Sequence, residues 1–404
     1  REFMEEVRSH LTDDGIFVQW IEPGFVNQSL LKSLGATLVE VFPHVRLYRP
    51  GNNALVFLAS MEPFDLEESV TQTNHPMMQS TDFYNRRGLH DVHDVAAMLT
   101  FTTAQLARYC EHAPLNTDDS NLLATHSLRL MLPGEKKRLD DSLIAGDVLL
   151  DARGLRDKLD LDLGYLGQLL QANQQTARSD QFISSIQNEE QRKLAQARVQ
   201  LQRGELSGCA ASLQAVFAED PENQTALALE AMLAITERRP ISPGIIKKLN
   251  EPTRTVAEGW NDAKSQDWDA VARLDSRLSQ ATPQDVCFPS ALFLRVGWRN
   301  QSGQPEKGAE AIELLQKAVP YSEQTMFLLP WAYAGLLAKE DVIVLGAVEK
   351  RIRIAQGMKK NLTPQALRAF VTKHEAILDK MNHSPEELQS RIAHARKRLQ
   401  LLLR

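Results

Sequence analysis

The first clear pattern along the chain is residues 15–21, where most side chains are β-branched or aromatic. This run is too short for a helix, and it follows a helix-like segment at 1–11 through the turn Thr-Asp-Asp-Gly at 12–15. The pattern therefore predicts a buried strand. A strand that is entered from a helix by so short a turn is typical of a βαβ unit, so we expect a parallel sheet that helices cover on both faces.

The next forty residues continue the alternation of helix and strand. Residues 24–34 suit a second, weakly periodic helix, and we expect Gly35 to end it. Two strand-like runs follow, the first at residues 37–41 with an extension at 45–48, and the second at residues 54–60. The segment Pro-Gly-Asn-Asn at 50–53 has the composition of a hairpin turn, so the last two strands should be antiparallel.

This element order matches the end of a doubly wound α/β sheet. Such sheets bind nucleotides on a glycine-rich first turn, and the motif Gly-x-Gly-x-x-Gly does not occur in this sequence. We therefore expect residues 1–60 to close a sheet that begins upstream, and the chain to be the C-terminal portion of a longer protein. On this interpretation no catalytic and no cofactor-binding residue lies in the chain.

Residues 91–112 return to helical spacing, which predicts one or two helices. A polar run at 114–121 and the pair Pro133-Gly134 then end this region. Two histidines and two aspartates lie together at the start of the predicted helix: His90, Asp91, His93 and Asp94. Histidines three residues apart share a helix face and can bind a metal ion, but a plain helix start explains the same residues. Because the sequence places no third ligand beside them, we assign no metal site.

Four motifs of this region, in this order, resemble one known family. They are REF at residues 1–3, LTDDGIFVQW at 11–20, FPHV at 42–45 and PLNTDD at 114–119. Together they are similar to the C-terminal half of the spermidine synthase-like aminopropyltransferases, especially the branch that is fused to membrane segments. The resemblance covers about the first third of the chain.

The resemblance implies a methyltransferase-type Rossmann fold that transfers an aminopropyl group from decarboxylated S-adenosylmethionine to a polyamine. It implies that the nucleoside-binding turn and the catalytic aspartate lie upstream of Arg1. By the same resemblance, Gln19 and Glu22 contact the amine, Asp118 and Asp119 close over the sheet edge as substrate-binding residues, and the protein forms homodimers. Each residue also has a structural alternative, since Gln19 could satisfy a backbone group and the aspartates could cap a helix or hold a turn.

Beyond residue 134 helical periodicity dominates, and a spacing of 17 residues recurs. It separates three pairs of turn and proline positions: Gly204 and Pro221, Gln266 and Pro283, Gly303 and Pro320. Small residues lie between the members of each pair, a pattern that resembles the tetratricopeptide repeat. We expect an all-α array of helical hairpins, in which small residues allow close packing and proline ends the second helix. A degenerate repeat would occupy residues 226–255.

These patterns divide the chain into four parts. Residues 1–133 form the partial Rossmann-like α/β sheet, 134–190 are connecting helices, 191–340 are the tetratricopeptide-like repeats, and 341–404 are C-terminal helices. The helical array offers a groove for a peptide or protein partner.

Composition narrows the function classes. The net charge of −6 over 404 residues argues against a nucleic-acid surface. Three widely spaced cysteines indicate neither a disulfide framework nor a zinc site, so we expect a cytoplasmic, reducing compartment. No apolar run approaches 18 residues, so we expect no membrane-embedded segment here, although the full-length protein could carry some upstream. Two functions remain open, an inactive portion of an aminopropyltransferase and a non-catalytic interaction scaffold.

Overall fold

The computed structural model describes residues 1–51, 54–65, 69–70, 81–122, 124, 132–150, 154, 158–319 and 321–403. Asn52 and Asn53 of the expected hairpin turn, and Pro320 of the expected third repeat, lie outside this set. The chain divides into two compact units. Unit 1 comprises Arg1–Thr81 and Leu89–Val216, and unit 2 comprises Asp82–Gly88 and Phe217–Arg404.

Helices form most of the described chain, and one small sheet lies in unit 1. The strands are β1 Ile16–Ile21, β2 His44–Gly51, β3 Ala54–Ser60 and β4 Leu99–Phe101. The α-helices up to residue 217 are α1 Glu2–His10, α2 Gln28–Val41, α3 Thr81–Asn85, α4 Val92–Met98, α5 Thr103–Tyr109, α6 Pro133–Ala145, α7 Leu163–Ala172, α8 Thr176–Ser184, α9 Glu189–Arg203 and α10 Leu206–Phe217.

The sheet has the order β1-β3-β2-β4, and each pair of neighbouring strands is antiparallel. The antiparallel pairing of β2 with β3 confirms the expected hairpin, and β3 has the bounds that its composition predicts. The expectation of a parallel sheet is wrong for the strands described, because β3 lies between β1 and β2. Since β1 and β2 are both antiparallel to β3, they run in the same direction, and α2 lies between them in the chain. The Rossmann-like assignment stays a prediction.

β1 is not the doubly buried strand that its composition suggests. It pairs with β3 on one side, and its residues alternate between exposed and half-buried. Phe17 and Ile21 pack against the core, whereas Val18 and Trp20 are 57% and 56% exposed. An antiparallel strand can bury one face alone, so a continuous apolar run does not prove burial on both.

α2 differs from its prediction in both position and length. Residues 37–41 are its last turn and not a strand, although Thr37, Val39 and Val41 are β-branched. Leu31, Leu34 and Leu38 lie at helical spacing on its buried face, and this packing overrides the strand preference. The prediction that Gly35 ends this helix is wrong, because Gly35 lies inside it. A larger residue would not fit there, because the side chain of Cys110 occupies the space where a Cβ atom would stand.

One core connects the sheet with helices from well beyond it. Phe57 of β3, Leu47 of β2 and Leu38 of α2 are fully buried in it, and Leu139 and Leu143 of α6 join the same cluster. Two helices, α4 and α5, lie in the range 91–112, where one or two were expected, and the short strand β4 between them, which was not predicted, pairs with β2. The domain boundaries drawn from the sequence stay predictions, but α6 packs with the sheet that precedes it.

The remaining α-helices form the hairpin array that the sequence predicts. They are α11 Gln224–Thr236, α12 Pro243–Lys248, α13 Thr253–Lys264, α14 Trp268–Arg273, α15 Asp275–Leu278, α16 Phe288–Gln301, α17 Pro305–Lys317, α18 Leu328–Ala338, α19 Asp341–Met358, α20 Pro364–Asp379 and α21 Glu386–Leu403. Successive long helices pack on one another, for example α17 on α18 and α18 on α19.

The expected turn positions share one backbone conformation. Gly204, Gln266 and Gly303 have φ values of 76°, 63° and 73°, in the left-handed region. Arg238 and Lys339 adopt it as well, so left-handed residues follow each other at intervals of 34, 28, 37 and 36 residues. At four of the five positions the next N–H donates to the carbonyl five residues earlier, which closes the helix end. This confirms helical hairpins, and the tetratricopeptide assignment stays a prediction.

Candidate functional site

Gln19 lies near the end of β1, on the same face as Phe17 and Ile21. Its Nε2 atom donates to the carbonyl oxygen of Trp20 at 2.9 Å. The Gln19 side chain therefore satisfies a backbone group, which is the structural alternative to an amine-binding role. The amide oxygen of Gln19 accepts no hydrogen bond from the part of the chain that the structure describes, so it remains available to a donor such as an ammonium group.

Glu22 follows β1 directly and is exposed. Its backbone carbonyl accepts from the N–H of Phe25 at 3.1 Å and so begins the short 3-10 helix Pro23–Phe25. Its carboxylate forms no ion pair with any described residue. Gln19 and Glu22 therefore both lie towards the C-terminal end of β1, where they bring an amide oxygen and a carboxylate.

Asp118 and Asp119 lie in an exposed loop that is fixed by backbone contacts. The N–H of Asn116 donates to Oγ1 of Thr37 at 2.8 Å, and the backbone nitrogen of Arg1 donates to the Asn116 carbonyl. The N–H of Asp118 donates to Oε2 of Glu2 at 3.1 Å. Backbone N–H donors, first of Glu2 itself and then of Asp118, lower the pKa of Glu2. The two aspartate carboxylates form no ion pair with the described residues.

No contact among the described residues links the pair Gln19 and Glu22 with the pair Asp118 and Asp119. Glu22 precedes the N-terminus of α2, whereas the loop of Asp118 is tied to Thr37, nine residues beyond Gln28. Nine residues correspond to a rise of about 13 Å along the helix. Each pair therefore has its own surroundings, and their shared role in substrate binding stays a prediction.

A feature that the sequence did not indicate is the apolar surface along β1. Ile16, Val18 and Trp20 are 40%, 57% and 56% exposed on one face of this strand. They stand opposite Ser60, Leu58 and Val56 of β3. Because Phe17 and Ile21 on the other face are apolar as well, and that face also carries the polar Gln19, periodicity could not separate an exposed face from a buried one.

The cluster at residues 90–94 is a helix cap. The Asp91 side chain accepts from the N–H of His93 at 2.8 Å, and Asp94 accepts from the N–H groups of His90 and Asp91 at 2.8 and 3.1 Å. Burial, and then the charge of Asp91, raise the pKa of Asp94 to about 8. Nε2 of His93 accepts from the N–H of Asp162 at 3.0 Å. Across the described ranges, no three His, Cys, Asp or Glu side chains form a group that could hold a metal ion.

Each unit also carries an open surface cavity. In unit 1 a cavity of about 290 Å³ is lined by His44, Arg46, Pro63, Phe64, Asp65 and Thr103. Arg46 and Asp65 form an ion pair of 3.3 Å inside it. In unit 2 a cavity of about 420 Å³ is lined by Phe217, Pro221, Leu227, Glu230, Ser242, Gly244, Ile245 and Lys248. The second cavity combines an apolar floor with one charge of each sign.

Comparison with known proteins gives no relative: no family model, no curated protein and no solved structure matches this chain. Within the described ranges, every helix is too short or too polar to cross a bilayer.

Proposed function

We propose that this chain is the closing part of a spermidine synthase-like aminopropyltransferase domain, followed by a supporting helical array. The observation that carries the proposal is the sheet order, in which β1 and β2 run the same way on either side of β3 with α2 as the crossover. Among the described strands nothing pairs with the second edge of β1, and its exposed apolar face adjoins that edge. Such an edge is where further strands would extend the sheet.

The amine-binding role is proposed for the end of β1. A polyamine is a flexible dication, and carboxylate and amide oxygens replace the water that it loses on binding. Glu22 supplies an unpaired carboxylate and Gln19 an amide oxygen. On this proposal, residues upstream bind decarboxylated S-adenosylmethionine, so this chain alone transfers no aminopropyl group.

A calorimetric titration tests the amine site without requiring catalysis. The ligand is 1,4-diaminobutane, titrated at low salt into the whole chain and into the Glu22→Gln variant. We expect saturable binding that weakens about tenfold in the variant, because one charge-assisted hydrogen bond is lost. Glu40→Gln is the matched control, since Glu40 is also an exposed glutamate of unit 1 without an ion pair among the described residues.

Two results would contradict this proposal. One is the absence of any saturable diamine binding by the unmodified chain. The other is an equal loss of affinity in the Glu22→Gln and Glu40→Gln variants, since that would indicate a general charge effect and no defined site.

The second candidate function, an interaction scaffold, is favoured by the cavity of unit 2. Its apolar lining includes Leu227 and Ile245, and the charged residues Glu230 and Lys248 also line it and could orient a partner. We propose that an amphipathic peptide segment binds there, with its apolar side chains on the floor. Under both candidate functions we expect a reducing, cytoplasmic compartment, since the three cysteines are buried and none of them forms a disulfide.

Selection of binding peptides from a random library tests the scaffold function. Peptides selected on the whole chain should lose at least about tenfold in affinity for the Ile245→Asp variant, because a charge then replaces apolar contact. The control is Ile246→Asp, which changes a similarly half-buried neighbour outside the lining of the cavity. Failure to select any peptide, or equal effects of both variants, would exclude this surface as the binding site.

A further inference from the structure

The two edges of the sheet in unit 1 differ in how they are protected. Native proteins keep an edge strand short, cover it, or place charges or proline in it, because its free N–H and C=O groups would otherwise pair with another chain. β4 is short and covered, since it has three residues and all of them are buried. β1 has six residues with neither charge nor proline among them, and of the described strands only β3 pairs with it. Within the described chain, the other side of β1 is therefore an open edge.

One face of β1 is also apolar and exposed. Val18 and Trp20 are 57% and 56% exposed, and they stand opposite Leu58 and Val56 of β3, which are half-buried. Residues that stand directly opposite in an antiparallel pair lie on the same face of the sheet. The apolar surface therefore continues from β1 onto β3. A strand that pairs with the open edge would extend this surface, and its side chains would cover Val18 and Trp20.

The charges around β1 have one sign. Asp13 and Asp14 precede the strand and Glu22 follows it, and all three side chains are exposed. Their carboxylates form no ion pair with any residue that the structure describes. Between residues 11 and 27 the sequence contains no lysine, arginine or histidine. Acidic side chains therefore lie at both ends of the open edge, and they favour a partner that carries a cation at each end.

The same charges make a second copy of this chain an unsuitable occupant of the edge. In a symmetric antiparallel pair of two β1 strands, the register that matches all the exposed apolar residues places Val18 on the two-fold axis. Ile16 then stands opposite Trp20 of the second copy, and Asp14 stands opposite its Glu22. Like charges that stand directly opposite destabilise a strand pair. The charges therefore favour a different segment.

We propose that the open edge of β1 binds an extended polypeptide segment from outside this chain, with alternating apolar side chains and a lysine or arginine at each end. Main-chain hydrogen bonds to β1 hold the segment, its apolar side chains cover Val18 and Trp20, and its cations face Asp14 and Glu22. Exposed ion pairs contribute little by themselves, so the charges select the segment and the strand pairing binds it. This docking role rests on the proposed function in one respect, since both require that a further strand extends the sheet at β1.

Fluorescence of Trp20 measures binding, because the other tryptophans, at positions 260, 268, 298 and 331, all belong to unit 2. The probe is the peptide KKVTVTVKK, titrated into the whole chain at low salt. We expect saturable binding with a blue shift of the emission, because the indole leaves water, and no such shift in the Trp20→Phe variant. The scrambled peptide VTVKKKKTV and the acidic peptide EEVTVTVEE are the controls, and each should bind at least about tenfold more weakly.

Variants of β1 locate the docking site and separate it from the amine site. Val18→Lys should weaken peptide binding at least about tenfold, because it places a charge on the covered face. Val342→Lys is the matched control, since Val342 is 61% exposed and belongs to unit 2. Asp14→Asn should weaken peptide binding about twofold to fivefold, as the loss of an exposed ion pair predicts, and leave the binding of 1,4-diaminobutane unchanged.

Four results would overturn the docking role of β1. They are the absence of saturable binding of the basic peptide, equally tight binding of either control peptide, equal effects of the two valine variants, and a dimer in sedimentation that Val18→Lys dissociates. The last result would show that a second copy covers the edge. A chain that binds the peptide but not the diamine would contradict the amine site alone.

Discussion

Replacing Arg178 should destabilise unit 1 by more than a typical single substitution does. The side chains of Arg178 and Asp147 are 2% and 1% exposed, and two nitrogens of the guanidinium contact the two oxygens of the carboxylate, one pair at 3.0 Å. The guanidinium also donates to the carbonyls of Ala97 and Leu99 and to Gln175. It therefore ties α8 to the end of α4 and to β4.

The expected magnitude follows from what Arg178→Met leaves behind. A buried carboxylate loses its counter-ion, and two carbonyls lose a donor. Breaking a buried pair on one side costs about 3–5 kcal/mol. The N–H of Leu149, which donates to Oδ1 of Asp147 at 2.9 Å, offsets little of this cost. Adding Asp147→Asn should recover part of the stability, because it removes the isolated charge.

Hydrogen exchange measured by mass spectrometry gives a local readout of this loss. Amides in β4 and α8 should lose protection by about a hundredfold to a few thousandfold, as 1.4 kcal/mol corresponds to a factor of ten. Lys137→Met is the control, since Lys137 pairs at 2.6 Å with Asp141, their side chains are 76% and 58% exposed, and such surface pairs contribute about 0–1 kcal/mol. A change below threefold for Arg178→Met, or one no larger than that of the control, would refute the reasoning.

Three further predictions concern buried titratable groups and a close helix contact. Because the pKa of Asp94 is raised from 3.8 to about 8, the native state binds a proton that the unfolded chain releases. Its contribution to stability should be complete below pH 4 and lost as pH rises to 8, and Asp94→Asn should remove this slope in urea unfolding curves. The pKa of His374 is lowered from 6.5 to about 4, so stability should fall as pH drops through that window, as hydrogen exchange in α20 would show, and His374→Gln should remove the effect. In Gly308→Ala the new Cβ would lie 2.7 Å from the Ala338 nitrogen, so we expect a loss of about 1–3 kcal/mol in thermal unfolding. Gly346→Ala, with open space around it in α19, should instead gain about 0.5–1 kcal/mol.

The predictions from local patterns succeeded where the physical cause is local. The composition of residues 54–60 predicts β3, because a short, continuous apolar run after a turn segment is typical of a strand. The spacing of Gly204, Gln266 and Gly303 predicts hairpin turns, and all three residues adopt the left-handed conformation that closes a helix. Of the candidate site, the sequence could predict that Asp118 and Asp119 lie in a loop, because their segment is polar.

The predictions that failed depend on contacts between distant parts of the chain. The core around α2 decides that residues 37–41 are helical, and pairing with β2 turns residues 99–101 into a strand. Whether Trp20 is buried depends on which strands lie next to β1, and not on the residues around it. A hydrophobic pattern indicates which residues can be buried, whereas the elements that pack against them in the folded chain determine which residues are buried.

By itself, therefore, the sequence determined the strand β3, the predominance of helices beyond residue 134 and the positions of the repeated turns, since these depend on backbone preferences within a few residues. Only the tertiary structure decided the antiparallel order of the sheet, the exposed face of β1 and the buried pair of Arg178 and Asp147. All three depend on contacts between residues that lie far apart in the sequence, and local backbone preferences do not specify such contacts.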